Sequence, residues 1–71
     1  MPSARASEFQ RAAKALGFAL IRQTGSHARW IHSDGRAATI PVHGGWEIGP
    51  PLFFKILRQL SITTEDFQRL K

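Results

Sequence analysis

The residues best suited to chemistry lie in one short segment, Gln23-Thr24-Gly25-Ser26-His27. Its composition is typical of a turn between two strands, and a histidine follows the turn directly. Arg22 and Arg29 flank the segment, and Arg36 follows later in the chain. Because imidazole transfers protons near neutral pH and guanidinium groups bind phosphate oxygens in pairs, this combination indicates chemistry on a phosphodiester.

If the phosphodiester belonged to RNA, such chemistry would need no metal ion, because the 2′-hydroxyl can attack the adjacent phosphorus. The reaction requires a base, an acid and positive charge around the transition state. From residue types alone, His27 is a candidate general acid or base, with an ordinary surface histidine as the alternative, and Arg29 or Arg22 could hold the phosphate. Gly25 and Ser26 would let the RNA backbone approach closely. The residues that could contact such an RNA are Arg22, Gly25, Ser26, Arg29, Arg36 and His43.

The second proton-transfer group is left open between His32, His43 and water. His32 falls on the predicted core face, so a structural role is expected for it. His43 lies in a glycine-rich loop that can approach the active face. The spacing His27-x4-His32-x10-His43 matches no strong ligand pattern, so we expect neither a metal nor another cofactor.

The positive charge is unevenly distributed. The chain has ten Lys and Arg residues against five Asp and Glu, for a net charge of +5, and between Arg11 and His43 the only acid is Asp34. This excess predicts attraction to a polyanion, most simply nucleic acid. The alternative is a basic surface without a partner.

The length of 71 residues predicts one domain over residues 1–71. The absence of cysteine excludes disulfides and thiolate metal sites, and it fits a reducing, cytoplasmic environment. No apolar run approaches the ~20 residues of a membrane span. No apolar run follows the first residues either, so we expect no signal peptide.

Hydrophobic periodicity predicts an α-β-β-β-α order. The first helix begins at Ser7, with a Ser7–Gln10 capping box, although Ser3 is an alternative start, and it ends at Gly17. Its apolar stripe is Phe9, Ala12, Ala13 and Leu16.

Three strands are predicted over residues 18–23, 27–33 and 36–42. Alternation puts Ala28, Trp30 and His32 on the core face, and His27, Arg29 and Ile31 on the other. Asp34-Gly35 predicts a type I′ hairpin turn, and Pro41 predicts that the third strand lies at an edge.

Pro50 and Pro51 open the last main helix, and Thr63 and Asp66 form the capping box of a short final one, with Ile62 packed on Phe67. The buried stripe of the main helix is Leu52, Phe53, Ile56, Leu57 and Leu60, with Lys55, Arg58 and Gln59 outward. Three roles are possible for Trp46 in the preceding loop, namely stacking on a base, binding of a partner protein and capping of the core, and the last two are favoured.

These elements predict an α+β fold, a three-stranded antiparallel sheet with helices on one face and the other face open. In this order the sequence resembles the HicA toxins, small ribonucleases of bacterial toxin–antitoxin pairs. The resemblance covers about residues 7 to 67. It is carried by Gly17-Phe18, Arg22-Gln23-Thr24-Gly25-Ser26-His27, Ser33-Asp34-Gly35-Arg36, Ile40-Pro41-Val42-His43 and Ile56-Leu57-Arg58-Gln59.

The resemblance implies a fold like that of double-stranded-RNA-binding domains, metal-independent cleavage of mRNA, growth arrest, and neutralisation by a HicB-type antitoxin. The family's essential histidine follows Gly-Ser, which corresponds to His27. Many members carry a second histidine directly after it, where this chain has Ala28. Two alternatives remain beside a ribonuclease: a non-catalytic RNA-binding module of the same fold, and an interaction domain that docks an acidic partner.

Overall fold

The computed structural model describes residues 2–42 and 44–71. The elements are β1 (Ala4–Arg5), α1 (Ala6–Ala15), β2 (Ala19–Thr24), β3 (His27–Ile31), β4 (Ala37–Pro41), β5 (Glu47–Ile48), α2 (Leu52–Leu60) and α3 (Thr64–Leu70). An antiparallel sheet has the order β2-β3-β4, which confirms the predicted α-β-β-β-α arrangement and the edge position of β4. Within the described ranges, none of the helices has the length and apolar character needed to cross a membrane.

Helix α1 begins at Ala6, so the predicted Ser7–Gln10 capping box is wrong. Arg5 is the N-cap residue, and its backbone N–H donates to the Glu8 carboxylate over 2.9 Å. Strand β1 pairs with β5, which the sequence did not predict. This pairing keeps the two residues before the helix in an extended conformation, so the helix starts directly after them. Gln10 instead accepts a hydrogen bond from the Trp30 indole over 3.2 Å.

The two faces of the sheet differ as predicted. Ala28, Trp30, Ala38 and Ile40 are buried on the core face, against apolar residues of the helices. The other face, here called the open face, carries the side chains of His27 and Arg29. Strand β2 forms the outer edge, with all six of its residues exposed. Its pairing with β3 shifts between Leu20 and Arg22, so Ile21 is the extra residue of a β-bulge.

The β3–β4 hairpin differs from the predicted type I′ turn. Among the described residues, Ser61 is the only non-glycine with positive φ, so of the two turn residues only Gly35 adopts it, at +101°. The Gly35 N–H donates to the His32 carbonyl, and the His32 N–H donates to the Arg36 carbonyl. The Asp34 carboxylate accepts from the Arg36 backbone N–H over 3.0 Å, and this bond is the main reason that the pKa of Asp34 lies below its ordinary value. This local bond stabilises a negative φ at Asp34.

Helix α2 lies along β4, and two of its side chains differ from the prediction. Its buried residues are Phe53, Ile56, Leu57 and Leu60, whereas Leu52 remains 38% exposed. Gln59 does not point outward, because its side-chain oxygen accepts a hydrogen bond from the Thr39 backbone N–H over 3.1 Å. The helix therefore satisfies a donor at the free edge of β4 and brings one of its faces beside the open face of the sheet.

Helix α3 closes the core. The predicted capping box of Thr63 and Asp66 is confirmed by bonds of 3.0 and 3.1 Å between side chains and backbone N–H groups. Phe67 is fully buried and stacks on Phe9, with ring centroids 4.8 Å apart.

Candidate functional site

His27 is the first residue of β3 and lies on the open face. It pairs with Thr24 of β2 on one side and with Pro41 of β4 on the other. Gly25 and Ser26 form the loop before it, in which Gly25 has a φ of +58° and the Ser26 carbonyl accepts the Val42 N–H. The glycine therefore permits a tight turn that is tied to the end of β4, and this turn fixes the position of the histidine.

A second row of side chains crosses the open face beside His27. Arg29 lies between Arg22 on β2 and Thr39 on β4. Its Nη1 donates to the Thr39 hydroxyl over 3.0 Å, which orients the half-buried guanidinium. Residues two apart on a strand are about 7 Å apart, so Arg29 and His27 are close enough to contact one phosphodiester group.

Two depressions meet at His27. The first, of about 330 Å³, lies on the sheet, and the second, of about 180 Å³, lies between the sheet and α2. Arg22, Thr24, His27, Arg29 and Thr39 line the first. His27, Thr39, Pro41, Leu52, Lys55 and Gln59 line the second. His27 and Thr39 belong to both, so the imidazole stands at the centre of a continuous concave surface.

Lys55 belongs to this surface, although the sequence suggested only a solvated helix face for it. The described residues that line the two depressions include three cations, namely Arg22, Arg29 and Lys55. None of these lining residues carries a carboxylate. Strand alternation alone could have placed Thr39 on the open face. The position of Lys55 depends on how α2 is rotated against β4, which helical periodicity does not determine.

Arg36 is not brought to this surface. It lies at the hairpin end of the sheet, where its guanidinium bonds to the Asp34 carboxylate over 2.8 Å and to the Leu60 carbonyl over 2.7 Å. It also stacks over the Phe18 ring, 5.0 Å from the centroid. These contacts join the hairpin to the end of α2, so the placement of Arg36 favours a structural role.

His32 also lies at that end of the sheet, far from His27. Its Nε2 is 3.1 Å from the Leu16 carbonyl and its Nδ1 accepts the Asp34 N–H over 3.0 Å. Because the carbonyl can only accept, Nε2 carries the proton and both ring nitrogens are engaged. His43 lies outside the described residues, so its predicted RNA contacts and its candidacy as the second proton-transfer group stay predictions. No cluster of three potential metal-ligating side chains occurs in the part of the chain that is described.

The His27 ring contrasts with that of His32. Within residues 2–42 and 44–71, no side-chain hydrogen bond or ion pair engages it, and it is exposed. A histidine that the fold does not use for its own stability, placed among cations on a concave surface, is able to act on a bound anion.

A comparison with known protein families gives a match over most of the chain. The family model described as the HicA toxin of bacterial toxin–antitoxin systems matches residues 6–62, which include the whole sheet, α1 and α2. No curated protein matches the chain. The matched segment covers most of the 71 residues and contains every described residue of the surface around His27. The chain therefore belongs to the HicA family of toxins from bacterial toxin–antitoxin pairs.

Proposed function

We propose that this toxin is an endoribonuclease that cleaves mRNA without a metal ion. The observation that carries the proposal is the position of His27 at the junction of two depressions, with Arg22, Arg29 and Lys55 around it. A polyanion is attracted to such a surface, and a proton-transfer group is present where the polyanion would bind.

In the proposed mechanism His27 is the general base. The phosphate lies against Arg29, whose guanidinium is already oriented by Thr39, while Arg22 and Lys55 add positive charge on either side. The 2′-oxygen forms a bond to phosphorus as its proton passes to the imidazole, and the bond from phosphorus to the 5′-oxygen breaks. The products are a 2′,3′-cyclic phosphate and a 5′-hydroxyl end. The three cations oppose the negative charge that develops on the phosphorane-like transition state.

The departing 5′-oxygen needs a proton from a second group. His32 does not fit this role, because both of its nitrogens are engaged at the opposite end of the sheet. The candidates are His43, which follows Pro41 by two residues, and a water molecule.

The proposal is tested by incubating the protein with a mixed-sequence single-stranded RNA in EDTA. We expect cleavage products that end in 2′,3′-cyclic phosphate, because the nucleophile is the substrate's own 2′-hydroxyl. A DNA strand of the same sequence is the matched control and should remain intact, since it lacks that hydroxyl. Binding of RNA without cleavage would instead indicate a non-catalytic RNA-binding module, and cleavage only when a divalent metal is supplied would contradict the mechanism.

Replacing Arg29 by alanine should weaken RNA binding and flatten its dependence on salt. Loss of one phosphate contact on a single strand lowers the slope of log K against log salt concentration by about 0.7. The slope is measured by titrating labelled RNA at several salt concentrations. Arg11→Ala is the matched control, because it removes the same charge from an exposed position of α1, a helix that packs on the covered side of the sheet. Equal slopes for the two variants would remove Arg29 from the binding surface.

The partner in this proposal is an antitoxin of the HicB type that covers the open face with an acidic surface. The charge of the depressions supports this assignment, since their described lining contains three cations and no carboxylate. Adding the antitoxin to the cleavage assay should then stop the reaction. Continued cleavage in the bound complex would show that the antitoxin docks elsewhere.

A further inference from the structure

A third depression, of about 230 Å³, continues the surface beyond His27. It shares Pro41 and Leu52 with the depression between the sheet and α2. Its remaining lining residues are Trp46, Glu47, Ile48 and Gly49. Trp46 is 64% exposed, so this residue does not cap the core, which was one of the roles considered for it.

The chemistry of this depression differs from that of its neighbours. Most of its wall is apolar, its largest side chain is a flat aromatic ring, and its one charged residue among those described is the acid Glu47. The described lining offers a phosphate this carboxylate and no lysine or arginine. An uncharged planar ring fits better, because it can stack on the indole and lose contact with water.

Glu47 also contacts the segment around β1. Its carboxylate accepts a hydrogen bond from the Ser3 hydroxyl over 3.2 Å and lies 4.0 Å from the Arg5 guanidinium. The residue belongs to β5, which pairs with β1, so the base of the depression is part of a strand pair. The Glu47 carboxylate can also accept hydrogen bonds from the amino groups that bases carry on their edges.

We propose that this depression, the Trp46 subsite, binds a nucleobase of the RNA chain beside the nucleotide that is cleaved. The inference rests on the proposed ribonuclease function and adds a place where a base is held. The shared wall of the two depressions supports this proposal. An RNA chain whose phosphate lies at His27 and Arg29 can pass Pro41 and Leu52 and reach the Trp46 subsite along one concave surface. The competing occupant is an apolar side chain of the antitoxin, and the Glu47 carboxylate favours the base because it can accept hydrogen bonds from base amino groups.

The test uses RNA that cannot be cleaved, a fluorescently labelled mixed-sequence strand with 2′-O-methyl groups. Trp46→Ala should weaken its binding by about 5- to 150-fold, the range for loss of one stacked base. Trp46→Phe keeps an aromatic surface and should bind within a few-fold of the wild type. Phe54→Ala is the matched control, because it removes another exposed ring, 42% accessible, that lines none of the three depressions described.

A series of strands, each lacking one base, identifies the occupant directly. At one position the loss of the base should weaken wild-type binding and have no further effect on Trp46→Ala, because both changes remove the same stacking contact. Binding should also quench Trp46 emission, with Trp46→Phe giving the residual signal of the buried Trp30.

The outcomes separate the inference from the function on which it rests. If the wild type cleaves unmodified RNA but Trp46→Ala binds the modified strand as tightly as the wild type does, only the Trp46 subsite is overturned. The same holds if Trp46→Ala loses affinity for the antitoxin alone. If the wild type neither cleaves RNA nor binds the modified strand, the ribonuclease proposal fails, and the subsite fails with it.

Discussion

Replacing His27 by alanine should lower the rate of RNA cleavage by about 10²- to 10⁴-fold, the usual contribution of a positioned general base. The fold should be unchanged, because the side chain is exposed and makes no side-chain hydrogen bond within the described residues. RNA affinity should fall only slightly, since the arginines and Lys55 remain. The measurement is single-turnover cleavage with the variant in excess over RNA, together with a thermal unfolding curve.

His32→Ala is the control for this experiment. It removes the other histidine of the described sheet region, whose ring bonds to the end of α1 and to the hairpin. We expect it to lower the unfolding temperature and to leave the cleavage rate per folded molecule close to that of the wild type. If His27→Ala cleaves at the wild-type rate, or if both variants lose activity only in proportion to their unfolding, His27 is not the catalytic base.

Replacing Phe67 by alanine should destabilise the protein by about 3–5 kcal/mol, the usual cost of removing a buried aromatic ring. Phe67 is fully buried, stacks on Phe9 and meets Phe53 edge-on, with centroids 5.7 Å apart. A 71-residue domain has a total stability of about 4–11 kcal/mol. The loss therefore takes about a quarter or more of the whole, and we expect a clearly lower unfolding midpoint. Urea unfolding at 25 °C measures the change.

Phe54→Ala is the control that distinguishes the loss of a buried ring from the loss of an exposed one. Phe54 neighbours Phe53 in α2 but is 42% exposed, so its removal should cost much less. Equal shifts in the urea midpoint for Phe67→Ala and Phe54→Ala would contradict the assignment of α3 to the core. The comparison matters because the family match ends at residue 62, before α3 begins.

The sheet could be predicted from the sequence because its signals are local. Strict alternation along β3 separates buried Ala28 and Trp30 from His27 and Arg29, and this assignment holds in the structure. The capping box at Thr63 was equally predictable, since both partners lie within one helical turn. Local patterns of this kind leave few competing arrangements.

The features that could not be predicted from the sequence depend on contacts between segments that are distant along the chain. The start of α1 is set by a strand pair between residues more than 40 positions apart, and Gln59 points inward because β4 offers it a free N–H. Lys55 reaches the site for the same reason, through the placement of α2 against β4. A one-dimensional pattern gives the apolar side of a helix, but not the neighbour that its flanks will face.

The bulge at Ile21 affects whether the edge strand β2 can pair with a strand of another copy of the protein. Strand β2 ends the sheet and exposes Leu20 and Ile21, at 48% and 57%, so a regular edge here would invite another strand to pair with it. The extra residue breaks the even spacing of backbone donors and acceptors, and Arg22 adds a charge beside the break. Growth of the sheet from one molecule into the next, the first step toward a fibril, is thereby opposed at its most vulnerable strand.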